Sequence, residues 1–127
     1  MSFTLVRRSD PQVTDWNDDM RGSVSFRTLI DGATQETHGL VQGIGFLPRG
    51  GEKKAHHHDI PETLHVIAGV GEARFEGKTV DLAPGDTLYV PPGTVHAWAA
   101  PEEPMRFLYT FPADRFEDVA YHFEAEA

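Results

Sequence analysis

The chain has 127 residues, 39% hydrophobic and 24% charged, a size and balance that fit one globular domain over 1–127 and argue against disorder. Twenty acidic against eleven basic residues leave a net charge of −9, which repels phosphate backbones and anionic lipid, so neither nucleic acid nor a membrane is an expected partner. With no cysteine, disulfides, iron–sulfur clusters and thiol nucleophiles are excluded, and the opening MSFTLVRRSD lacks the apolar run of a signal peptide or membrane helix, which makes the cytoplasm the expected location.

Twelve glycines and nine prolines cut the chain into short β-rich runs. The first predicted strand is 24–30 (VSFRTLI), followed by 39–47 (GLVQGIGFL) and, after a charged stretch, 63–68 (TLHVIA). Strands 72–75 and 79–82 flank Glu76-Gly77, a hairpin signal because glycine supplies the positive φ of a tight reversal. Ala83-Pro84-Gly85-Asp86 and Pro91-Pro92-Gly93 mark two more turns, which separate strands 87–90 and 94–99. The last predicted strand is 105–111, and the acidic tail from Ala113 reads as a turn of helix or a final edge strand. About eight short antiparallel strands with no competing helical period predict an all-β barrel or jelly roll.

Four of the seven histidines fall within ten residues, His56, His57, His58 and His65. On an extended strand residues two apart share a face, so His56 and His58 project together while His57 faces away. Glu62 follows Pro61 at the expected start of the next strand, sharing its face with Leu64 and Val66 and leaving His65 on the other. His96, behind the rigid Pro91-Pro92-Gly93 turn, is a fourth candidate. Three imidazoles and a carboxylate suit one divalent transition metal (Fe, Mn, Ni, Zn or Cu) better than calcium or magnesium. His38 and His122 read as surface groups.

These residues fall in two spaced motifs that resemble those of the cupin superfamily. Gly50, five residues, His56-His57-His58, three residues, Glu62, six residues and Gly69 match the first motif at 50–69; Gly85, five residues, Pro91-Pro92-Gly93, two residues and His96 match the second at 85–100. Only the final position departs, with Ala100 in place of asparagine, which touches a turn and no ligand. The resemblance implies a single cupin barrel, a metal held by His56, His58, Glu62 and His96, and a homodimer of the kind small cupins commonly form.

For function, the resemblance and the ligand chemistry point first to a metal-dependent dioxygenase on a small organic substrate, with Glu62 as both ligand and proton acceptor. Cupin lyases acting on dimethylsulfoniopropionate look similar, but there a tyrosine two places beyond the glutamate can serve as base, and this chain has Leu64. A lyase or isomerase would therefore have to recruit Tyr109 or Tyr121. A non-catalytic sugar- or small-ligand-binding module is the third reading. Tyr109 is the expected polar group of the pocket and a candidate catalytic residue; Trp98, on the face of His96, and the pair Ile44 and Phe46 are candidate lining.

Overall fold

The computed structural model describes residues 3–10 and 13–124, and its secondary structure is strand except for one 3₁₀ turn. The strands are β1 (Val13–Asp18), β2 (Gly22–Ile30), β3 (Val41–Leu47), β4 (Gly51–His57), β5 (Glu62–Ala68), β6 (Gly71–Phe75), β7 (Lys78–Leu82), β8 (Thr87–Val90), β9 (His96–Ala100), β10 (Met105–Phe111) and β11 (His122–Phe123). They form one antiparallel sheet in the order β7-β6-β9-β4-β2-β3-β10-β5-β8, with β1 added to β2 and β11 to β4, curled into a half-barrel around the core. All eight predicted strands are present, shifted by a residue or two at some ends. The tail after Pro112, expected to form either a turn of helix or a strand, forms one of each, the 3₁₀ turn Phe116–Asp118 and β11; its last three residues lie outside those described.

Two strands were not predicted. β1 is exposed along most of its length and carries no buried period, and β4 is the charged GEKKAHH stretch, whose composition argues against a strand. β4 forms because tertiary pairing overrides that preference: it is hydrogen-bonded to β9 along most of its length and to β11 at its end. Where it meets β2 the backbones approach so closely that a Cβ on Gly22, at φ 98°, would lie 2.0 Å from the Glu52 carbonyl oxygen.

The core is laid down by alternation. β10 turns Met105, Phe107, Tyr109 and Phe111 inward, and β5 turns Glu62, Leu64 and Val66 inward beside them. Beside β10 in the sheet, β3 pairs Gly43 with Tyr109 and Gly45 with Phe107, and those rings lie over the glycines; any Cβ there would overlap them. Ile44 and Phe46 do share a face, but it is the outer one. They do not line the interior, because the alternation that seats the two glycines under the rings turns their neighbours outward. Ala100 is a buried strand residue paired with Gly51, and its carbonyl accepts from the Gly50 N–H at 2.7 Å, so the departure from the motif costs no structure. Among the described residues no helix is long and apolar enough to cross a membrane.

Candidate metal centre

His56, His58, Glu62 and His96 converge inside the half-barrel, none of them more than 2% exposed, with ligand atoms within 4.8 Å of one another. β4 brings His56 and the residue after its end brings His58; β5 opens with Glu62 and β9 with His96. The two motifs are tied by a backbone bond from the Gly93 N–H to the His58 carbonyl at 2.7 Å, and His56 pairs with His96 across β4 and β9. As alternation predicts, His57 points away and is half-buried, and His65 lies on the outer face against the Thr87 hydroxyl at 2.7 Å.

Each of the three imidazoles has its Nδ1 committed to a backbone carbonyl: His56 to Lys54 at 2.6 Å, His58 to Ala120 at 2.9 Å and His96 to Thr94 at 2.8 Å. A carbonyl only accepts, so every Nδ1 carries a hydrogen and each ring turns its second nitrogen, Nε2, to the centre. There His58 Nε2 and His96 Nε2 stand 3.4 and 3.3 Å from Glu62 Oε1. The three Nε2 atoms and Glu62 Oε1 are buried with no hydrogen-bond partner. Burial, aided by the Lys53 charge and by His96, drives the His56 imidazolium down to about 2, so that ring is neutral. Burial alone would raise Glu62; the His58 and His96 contacts and the Lys53 ammonium outweigh it and hold the carboxyl well below its ordinary range. Three buried ring nitrogens without partners, converging on a carboxylate, are the donor set of a transition-metal site, and this set can hold a divalent metal ion.

Beside the ligands lies a group that sequence reasoning missed. Lys53 is 1% exposed, with Nζ 4.7 Å from the Phe26 ring centre, 4.5 Å from that of Tyr121 and 5.5 Å from that of Trp16. It donates to the Tyr121 hydroxyl at 3.2 Å. Burial lowers its pKa from 10.5 to about 8, against the pull of Glu62. Tyr121 in turn stacks on His56, with centroids 5.2 Å apart at 27°, and meets His58 edge-on at 4.3 Å. Enclosure first, and the Glu62 charge second, push its phenol well above the usual 10.0. Trp98 packs on His96 at 4.8 Å, as their shared face predicts. Tyr109 is buried and faces the interior, but its aromatic neighbours are Phe26, Phe111 and Phe116 and its hydroxyl lies over Gly43; burial pushes its phenol up also.

The Cupin domain family matches residues 44–111, over half of the chain and across both motifs. The chain belongs to the cupin family. Its curated relatives include the dimethylsulfoniopropionate lyase DddW of Ruegeria pomeroyi, 33% identical over 106 residues, which span 84% of this cupin and 70% of that protein. Among solved structures, the polyketide cyclase RemF of Streptomyces resistomycificus superposes with a TM-score of 0.84 at 19% identity, over 99% of this chain and 88% of that one, and establishes the fold alone. The dimethylsulfoniopropionate lyase DddQ of Ruegeria pomeroyi superposes with a TM-score of 0.63 at 26% identity, over 71% of this chain and 47% of that one.

Proposed function

We propose that His56, His58, Glu62 and His96 hold one divalent transition metal and that this cupin is a metal-dependent lyase acting on a small carboxylate with a leaving group at its β carbon. A bound metal would supply Lewis acidity toward a substrate oxygen. Tyr121 would accept the proton of the α carbon as a phenolate, a form that donation from Lys53 and the positive charge of a bound metal would favour against the burial that raises it; the C–H electron pair would form the double bond, and the leaving group would depart with the electrons of its bond. Lys53 would hold the substrate's negative charge, a role for which a buried ammonium with no carboxylate in salt-bridge contact among the described residues is suited.

The observation that carries this reading is the Lys53–Tyr121 pair, packed on His56 and His58. Expecting dioxygen chemistry rested on Leu64, which leaves no base at the place where the similar lyases have one. Leu64 is fully buried in the core, and Tyr121, from the far end of the chain, stands against the ligands in its stead. That removes the ground for preferring O₂, and the 33% identity with DddW favours elimination. Tyr109, also inward, would shape the interior and contact substrate beyond Tyr121.

The test is turnover of dimethylsulfoniopropionate and of other β-substituted carboxylates, measured in air and under strict anaerobiosis with the metal kept reduced. Equal rates, with an unsaturated acid as product, are expected. Turnover that stops without O₂ would restore the dioxygenase reading, and tight ligand retention with no turnover would favour a binding module.

A further inference from the structure

Behind the inner cluster, on the opposite face of β4, a second group of metal-ligating side chains comes together. His57 of β4, Asp59 just beyond it and His122 of β11 have ligand atoms within 4.8 Å of one another. His57 and His122 are directly paired across the two strands, their rings stacked at 4.7 Å and 26°. His122 Nε2 meets Asp59 Oδ2 at 3.1 Å, and Glu124 Oε1 lies 3.5 Å from His57 Nδ1, which is itself buried without a hydrogen-bond partner. Strand alternation explains why this group is separate: the period that sends His56 and His58 inward sends His57 out to meet the tail.

We infer that His57, Asp59 and His122 form a second, outer divalent-metal site of the zinc class, with Glu124 as the carboxylate that orients His57. Two imidazoles and a carboxylate are borderline ligands that select zinc, copper or nickel over calcium and magnesium. Tetrahedral donors on zinc stand about 3.4 Å apart given bonds of about 2.0–2.2 Å, so the group must draw in by an ångström or so at its widest. The side chains of His57, Asp59 and His122 are 32%, 70% and 46% exposed, and are free to make that adjustment. Water completes the coordination, and the site is weaker than a buried one.

Its position gives it a consequence. The inner cluster is enclosed, so a substrate enters only when part of its wall moves. Residues 120–123 supply the Ala120 carbonyl that orients His58 and the Tyr121 ring that covers His56, and β11 holds to β4 by two residue pairs and the Glu124 N–H that donates to the Ala55 carbonyl at 3.0 Å, a short ladder. An outer metal joining His57 and Asp59 to His122 would pin that segment shut.

The experiment is equilibrium dialysis of the full chain against zinc chloride with metal counted per chain, on the wild type and on Asp59→Asn, His122→Gln and His96→Ala. Each of the first two is expected to bind one equivalent fewer than the wild type, and Glu124→Gln to weaken that equivalent by about tenfold. Asp59 is the most exposed of the three, so its amide variant folds. If Asp59→Asn and His122→Gln bind as many equivalents as the wild type, the outer site does not exist. His96→Ala probes the inner cluster separately: it should lose the other equivalent and keep the outer one. In parallel, hydrogen exchange should show zinc-dependent slowing of the amides of 120–124 in the wild type and not in Asp59→Asn; equal slowing in both would remove the pinning.

Discussion

Lys53 Nζ donates to the Tyr121 hydroxyl at 3.2 Å, joining β4 to the segment before β11 beside the buried histidine cluster. A buried ammonium among the Phe26, Trp16 and Tyr121 rings, hydrogen-bonded to the Tyr121 hydroxyl, is costly, and its place against the cluster implies that function maintains it.

Replacing Lys53 by methionine should stabilise the metal-free protein while lowering activity. A pKa lowered from 10.5 to about 8 on folding means the unfolded chain binds more protons between those values, so the wild type gains stability as pH rises through that window. Below pH 8 the full penalty applies, about 3 kcal/mol before the aromatic contacts offset part of it. The unfolding free energies of Lys53→Met and wild type, from urea titration, should differ by about 2 kcal/mol at pH 7 and converge toward pH 10.5. A difference independent of pH would mean that Lys53 is not buried as an ammonium.

His56→Ala, His58→Ala and His96→Ala should each strip the inner metal, whereas His57→Ala should leave it bound, because the Nε2 atoms of the first three meet at Glu62 and His57 lies behind them. Metal analysis after gel filtration reads this directly. Equal loss in His57→Ala and His58→Ala would overturn the register of β4.

Glu62→Gln should keep metal at reduced affinity, since the amide oxygen still ligates but its charge is gone. Tyr121→Phe should keep metal fully and lose turnover by about 10²-fold or more, the usual scale for a proton-transfer group. Tyr109→Phe should be milder. If Tyr121→Phe and Tyr109→Phe lose equally, the proton role cannot be assigned to Tyr121.

Gly43→Ala should destabilise by about 2 kcal/mol, because its new Cβ would lie 2.2 Å from the Tyr109 hydroxyl and overpacking on this scale displaces rings. A double-mutant cycle with Tyr109→Leu tests the cause: the second change should recover part of the loss, and strict additivity would place the strain elsewhere.

The sequence by itself determined the short-strand architecture, the two turns that flank β8, and the four ligand candidates. Those are local matters: glycine and proline set the turns, and a two-residue period puts His56 and His58 on one face. The same period carried back along β4 would turn Lys54 inward and Lys53 outward. The structure has the reverse, because the register of β4 against β9 shifts between Lys53 and His56, and the extra residue puts Lys53 and His56 on the same side. The Lys54 carbonyl released by that irregularity is the one that fixes the His56 ring. Likewise no local rule could bring Tyr121 to His56 across 65 positions of sequence, since only the pairing of β11 with β4 does so. A bulge and a long-range strand pair are decided by how the sheet closes on its core, which leaves no period in the chain to read.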